Sequence, residues 1–248
     1  MAKLIAGNKT IECKLVIFDK NGTLVDQHLL LLELAKARKN SVQKYVGKKV
    51  TELWEKIVGV NMESGKIDHE GPLATAPRRE ELLIAAAAFY LNGYAWNEAK
   101  QIVQMAYDEA DCSMEPPYGS VLLKDVAKNL KHLKQRGLKL AIASTDTHKR
   151  TVESFEALKI VSFFDAIVGS DDVANGKPSP DMIFEALRKT ESTTDEAIMV
   201  GDSTTDMLMG RNANVKACIG VLTGFTSREK LEQLADVVVF SVAELHAL

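Results

Sequence analysis

The spacing of apolar and polar residues changes character twice along the chain. Near the start, "LIA" and "TIECKLVIF" flank a Gly-Asn pair, which predicts a short hairpin feeding a buried strand that ends at Asp19. From Asp26 to about Ser113 the apolar residues recur at helical spacing in "LLLLELAKARKNSVQKYV", "VTELWEKIVGV", "RREELLIAAAAFYLNG" and "AWNEAKQIVQMAYDEA". "NMESGKIDHEGPLATAP", rich in Gly, Pro and polar residues, reads as a loop among them. After "MEPPYG" the pattern becomes an alternation. "SVLLKDVAKNLKHLKQRG" predicts a helix with Gly137 as its left-handed cap, and "LKLAIAS" a strand. "THKRTVESFEALKI" reads as helix and "FDAIVGS" as strand. "SPDMIFEALRKT" reads as a helix with Ser179 as cap and Pro180 at its first position. The strand "AIMVGD", the helix "STTDMLMGRNAN", the strand "VKACIGVL", the helix "SREKLEQLA" and the apolar run "DVVVF" complete the chain.

Strands alternating with helices predict right-handed crossovers and a mostly parallel sheet covered on both faces, an α/β fold with a Rossmann-like core. The helical block interrupts that alternation directly after the first strand and reads as an inserted α-helical cap domain. The expected division is a core of residues 1–25 and 114–248 and a cap of residues 26–113. A chain of 248 residues, 46% hydrophobic, has enough apolar material for this arrangement. A net charge of -3 gives no general attraction to nucleic acid. Cys13, Cys112 and Cys218 show no metal-ligand spacing and read as buried free thiols, which fits a reducing compartment. The start lacks the apolar run of a signal peptide, and "LLIAAAAFYL" is too short to span a bilayer. The expectation is a soluble, cytoplasmic protein, monomeric or weakly dimeric, with no membrane or nucleic-acid partner.

Ligands of such sheets bind beyond the carboxyl ends of the strands. Four strand ends carry polar residues: Asp19-Lys20-Asn21-Gly22-Thr23, Ser144-Thr145-Asp146, "GSDDVANGKPSPD" leading through Lys177, and Gly201-Asp202-Ser203-Thr204-Thr205-Asp206. Carboxylates brought together there repel and require a cation. Hard oxygen ligands without His or Cys suit Mg²⁺. Ser144, Lys177 and main-chain N–H groups suit a phosphoryl group, lysine serving as a point charge. A carboxylate beside Mg²⁺ and facing phosphorus can attack it to form an aspartyl phosphate.

In order and spacing, these segments resemble the four signature motifs of the haloacid dehalogenase-like hydrolases. "VIFDKNGTLVD" resembles the first (D-x-D-G-T), "LAIAST" the second, "GKPSPDMI" the third and "MVGDSTTDM" the fourth (G-D-S-x-x-D). The helical insert lies where one branch of the family, including phosphoglycolate phosphatase-like enzymes, carries its cap. The resemblance implies that Asp19 is the nucleophile, and that Asp19, the Asn21 carbonyl and Asp202 bind Mg²⁺, supported by Asp206. It also implies that Lys177 and Ser144 hold the phosphoryl group, with Thr23 and Thr145 the other candidate substrate contacts. Thr145 is a rival to Ser144, since one residue of register decides which hydroxyl faces the site.

The departure from the motif is Asn21. Family phosphatases have Asp there, which protonates the leaving oxygen and then activates water. An amide can donate a hydrogen bond but cannot exchange a proton at neutral pH. A slow or specialised enzyme, a protein that binds phosphate ligands without turnover, and a substitution that traps an intermediate all fit. Asp146 and His148 read as helix caps. Arg78 and Arg79 read as surface residues at a helix start, or as part of a specificity loop. The reading is a Mg²⁺-dependent phosphatase of a small phosphorylated metabolite, slowed by Asn21. The alternative is a non-catalytic protein of the same fold that binds phosphometabolites.

Overall fold

The structure is a computed structural model that describes residues 2–248. The chain forms two compact units. One runs to Gln27 and resumes over Ser120–Leu248; the other is His28–Gly119. Strands β1 (Ala2–Ala6), β2 (Lys9–Cys13) and β3 (Leu15–Phe18) come first. The inserted unit holds α1 (Gln27–Tyr45), α2 (Lys48–Val58), β4 (Val60–Asn61), β5 (Lys66–Ile67), α3 (Pro72–Thr75), α4 (Arg78–Tyr90) and α5 (Trp96–Ser113). The first unit then continues through α6 (Val126–Gln135), β6 (Lys139–Ala143), α7 (His148–Ala157), β7 (Ala166–Val168), α8 (Asp181–Thr190) and β8 (Ala197–Gly201). It ends with α9 (Thr204–Asn212), β9 (Ala217–Val221), α10 (Arg228–Glu232), β10 (Val237–Val239) and β11 (His246–Ala247).

A six-stranded sheet in the order β10-β9-β8-β3-β6-β7, with every pairing parallel, forms the centre of the first unit. Side chains of a strand alternate between faces, and the core divides accordingly. Val16, Phe18, Leu140, Ile142, Ile198 and Val200 pack on one face with Leu130 and Leu133 of α6 and Phe155 of α7. Leu15, Ile17, Ala141, Ala143, Ala197 and Met199 pack on the other with Met182, Ile183 and Ala186 of α8 and Met207 of α9. All four residues of β3 are therefore buried. Each large aliphatic or aromatic side chain so buried contributes about 1.5–3 kcal/mol, so strand ends on this sheet are rigid platforms. The strand order reverses between β3 and β8, and that reversal is where a crevice opens in such sheets.

Four local expectations are corrected. "TIECKLVIF" is not one strand. Lys14 breaks it, since its N–H donates to Glu196 O and its carbonyl accepts from Lys139 N, both at 2.8 Å. Strands β1 and β2 instead join β11 in a separate three-stranded sheet. The helix expected from Ser120 begins only at Val126, because Leu122 bridges Val25 and the Leu123 N–H donates to Leu24 O. Pro180 caps α8 rather than opening it. The stretch from Asn61 to Pro77 also holds a small β4–β5 hairpin and the single-turn α3.

The helical unit has a polar centre. Arg38 Nη1 donates to both carboxylate oxygens of Glu81 at 2.6 and 2.5 Å, and both residues are buried. The Tyr107 hydroxyl donates to Glu81 Oε1 at 3.1 Å and accepts from Trp54 Nε1 at 3.0 Å. Burial, and then the Glu81 charge, push the Tyr107 phenol well above its usual range. The network links α1, α2, α4 and α5, and pairing is what makes so much buried charge tolerable. Arg78 is held within this unit by Asp108 and Asp111 at 2.9 and 2.7 Å. No helix among the described residues is long and apolar enough to cross a membrane.

Candidate active site

Asp19 follows β3 and Asp202 follows β8, the two strands at the reversal. Asp206 lies one turn into α9, whose N-cap Ser203 accepts from the Asp206 N–H at 3.2 Å. In return Asp206 Oδ2 accepts from the Ser203 N–H and hydroxyl at 3.1 and 2.6 Å. This capping box leaves the other oxygen of Asp206 to face Asp19 and Asp202. The three carboxylates are buried, and one oxygen of each lies within 4.8 Å of the others. Lys177, carried by the loop before α8, donates from Nζ to Asp19 Oδ1 at 2.5 Å and to Asp206 Oδ1 at 2.7 Å. Its loop is anchored where Asn212 Nδ2 donates to Pro178 O at 2.9 Å.

Thr23 joins the cluster by donating to Asp202 Oδ1 at 3.1 Å. Ser144 is buried at the end of β6 and Thr145 is exposed, so the hydroxyl at position 144 is the one enclosed by the core unit. Asn21 makes no hydrogen bond to the carboxylates among the described interactions, and its buried Oδ1 has no partner. The two expected helix caps are corrected. Thr147 caps α7, its hydroxyl accepting from Arg150 N. His148 is the first residue of that helix and pairs with Asp172 at 2.8 Å, while Asp146 accepts from buried Lys20 at 2.7 Å.

The loop after β9 is a participant that the motif spacing did not reveal. A Cβ on Gly224 would lie 1.7 Å from Asp202 Oδ2, and one on Gly22, where φ is +84°, would lie 2.5 Å from the same oxygen. Thr223 Oγ1 donates to Gly22 O at 2.5 Å and clamps the two loops together. Bare backbone therefore surrounds the Asp202 carboxylate on two sides. The usable signal was the Thr-Gly pair ending the strand beside β8, and it acquires meaning only once the strand order is known.

Burial raises the Asp19 carboxyl from 3.8 to about 6, with Lys177 opposing and Asp206 adding to the rise. Burial, and then the charges of Asp19 and Asp206, push Asp202 well above the carboxylate range. Burial disfavours the Lys177 ammonium, but the Asp19 and Asp206 charges prevail and hold it above its ordinary value. Three buried carboxylates thus share one lysine. The unmet negative charge and the all-oxygen donor set fit a hard divalent cation such as Mg²⁺.

A stability prediction follows for the metal-free protein. The folded state holds the Asp19 proton more tightly than the unfolded state does, so stability falls as pH rises from about 4 through about 6. In chelator, the thermal midpoint should be lower at neutral pH than near pH 5, and millimolar Mg²⁺ should recover the loss. A midpoint indifferent to both pH and Mg²⁺ would contradict the electrostatic description of the cluster.

Residues 90–220, more than half of the chain, match the family described as haloacid dehalogenase-like hydrolase. Over 94 residues the chain is 37% identical to the pyrophosphatase PpaX of Halalkalibacterium halodurans, a match covering 38% of this chain and 44% of that protein. The matches to PpaX proteins thus span less than half of those relatives' length. Over 240 residues, 94% of each chain, it is 28% identical to the "Probable phosphatase IndB" of Dickeya dadantii. Among solved structures, a subfamily IA, variant 1 hydrolase of the same superfamily from Geobacter sulfurreducens superimposes with a TM-score of 0.62. That match covers 94% of each chain at 20% identity, and it shows a shared fold.

Proposed function

Because the chain belongs to the haloacid dehalogenase-like hydrolases, we propose that it is a Mg²⁺-dependent phosphatase of small phosphorylated metabolites, working through a phosphorylated Asp19. The observation that carries this reading is the buried cluster of Asp19, Asp202, Asp206 and Lys177 at the strand-order reversal. Asp19, the Asn21 carbonyl, Asp202 and Asp206 would hold Mg²⁺, which when bound supplies the positive charge that lets an anionic phosphoryl group approach a carboxylate.

The remaining work falls to the chain's own groups. Lys177 offers its ammonium to the phosphoryl oxygens, and Ser144 offers a hydroxyl. A carboxylate oxygen of Asp19 attacks phosphorus, and the bond to the leaving oxygen breaks with its electron pair. Water then attacks the acyl phosphate, returning free Asp19 and inorganic phosphate. The rigid strand ends hold nucleophile and anchors at fixed spacing, which supplies much of the rate. Asn21 cannot give the leaving oxygen a proton or take one from water. Substrates whose leaving groups need no proton are therefore favoured, such as aryl phosphates and phosphoanhydrides. The pyrophosphatase name of the PpaX relatives makes inorganic pyrophosphate an early choice for assay.

A second reading has one observation in its favour: Asn21, with its buried, unpartnered Oδ1, suits a protein that holds a phosphometabolite without turning it over. A panel of p-nitrophenyl phosphate, phosphoglycolate and pyrophosphate with Mg²⁺ separates the two. Chelator-sensitive release of phosphate from any of them supports the phosphatase. Saturable binding of the same compounds with no release supports the binding protein.

A further inference from the structure

Lys20 stands between Asp19 and Asn21 and has no part in the chemistry above, yet it is only 2% exposed. A buried ammonium persists only where it is paired. Its Nζ donates to Asp146 Oδ2 at 2.7 Å, joining the loop after β3 to the loop after β6, adjacent strands of the sheet. At the first end, Lys20 directly follows Asp19, whose own N–H is fixed on Val200 O at 2.9 Å. The Lys20 carbonyl accepts from Leu24 N and Val25 N at 2.9 and 3.0 Å, which closes the turn carrying Asn21 and Gly22. At the second end, the Asp146 N–H donates to Ser144 Oγ at 3.1 Å, and the Asp146 carbonyl accepts from Ser170 N at 2.9 Å. Because Ser144 Oγ accepts there, its own proton is left to donate. A chain of bonds therefore runs from Lys20, the residue next to Asp19, through Asp146 to the Ser144 hydroxyl.

We propose that the Lys20–Asp146 ion pair is a positioning device that sets the spacing between Asp19 and the Ser144 hydroxyl, and so the seat of the phosphoryl group. This rests on the phosphatase reading given above. Neither residue needs to touch the phosphoryl group. Asp146 acts through its amide on Ser144, and Lys20 acts by tying that loop to the one that bears Asp19. Loosening the pair frees the Ser144 loop first. The loss should therefore appear in phosphate binding and KM more than in kcat.

The experiment is a double-mutant cycle of Asp146→Asn with Ser144→Ala. Inorganic phosphate binding is measured by calorimetry in Mg²⁺, and kcat and KM are measured on p-nitrophenyl phosphate. Asp146→Asn keeps the size and the main-chain N–H and removes the charge that holds Lys20. In the otherwise wild-type protein it should weaken phosphate binding and raise KM by about five- to tenfold. In the Ser144→Ala background it should change either by less than about twofold, because the hydroxyl through which it acts is gone. Equal losses in the two backgrounds, or no loss in either, would overturn the proposal and leave the phosphatase reading standing. A wild-type protein that neither binds phosphate nor releases it from the ester would overturn both. Lys20→Met should reproduce the effect from the other end. Should that variant fail to fold, Asp146→Asn decides alone, since Asp146 is partly exposed and its loss leaves the core intact.

Discussion

Replacing Asp19 with Asn should lower hydrolysis of p-nitrophenyl phosphate by at least about ten-thousand-fold, because it removes the proposed nucleophile and leaves, among the described residues, no carboxylate able to take its place. Asp202 accepts from Thr23 and is crowded by Gly22 and Gly224, while Asp206 is locked in its capping box. The same substitution should not destabilise the metal-free protein. Burial already pushes the Asp19 carboxyl up to about 6, which means that its charge at neutral pH is a cost. Lys177 keeps Asp206 as its partner. In chelator the midpoint of Asp19→Asn should hold or rise, at about 2–4 °C per kcal/mol relieved for a chain of this size, and its gain from Mg²⁺ should shrink. Thermal melts with and without Mg²⁺, beside steady-state rates, check both halves. Substantial residual turnover would place the nucleophile elsewhere, and a large drop in the midpoint would contradict the charge balance of the cluster.

The second large effect should come from Asn21→Asp. Proton transfer to a leaving oxygen and from water is worth roughly a hundred- to ten-thousand-fold, or about 3–5 kcal/mol of barrier. Asn21 supplies neither transfer. Restoring a carboxyl should raise turnover by at least about tenfold, and more for alkyl than for aryl esters where the first step limits the rate. An aryl leaving group departs without a proton, so on nitrophenyl phosphate the gain should be confined to breakdown of the phosphorylated Asp19. Rates of both proteins on one alkyl and one aryl ester measure this difference. If Asn21→Asp is no faster on either, position 21 is not a disabled acid and base, and the binding-protein reading gains.

The parts of the site that were legible in the sequence are those that depend only on local order. Asp19 and Asp202 each end an apolar run, and Asp206 stands at the third position of a capped helix, so strand and helix signals alone locate them. Lys177 is legible because "GKPSPD" follows β7 and resembles the family's third motif. The sheet itself was legible because strand and helix patterns alternate so regularly. What escaped depends on pairings between distant segments. Asp146 looked like a cap before α7, but its carboxylate is taken by a lysine 126 residues earlier in the chain. Gly224 lies against Asp202 only because β9 is placed next to β8, which no local pattern states. The β1–β2–β11 sheet joins the two ends of the chain through a final strand too short to show any periodicity. The late start of α6 has the same origin: Leu122 is recruited by Val25, and no local signal opposes a helix there.

The proposed cycle passes through a phosphorylated Asp19, and trapping that species is its sharpest test. The protein is mixed with p-nitrophenyl phosphate and Mg²⁺, quenched in acid, and the peptide spanning Leu15 to Asp26 is weighed by mass spectrometry. One added phosphoryl group is expected on Asp19; it should accumulate because its breakdown is slow, be absent in chelator, and turn over faster in Asn21→Asp. Release of nitrophenol with no phosphoryl group on that peptide, or with the group on another residue, would contradict it.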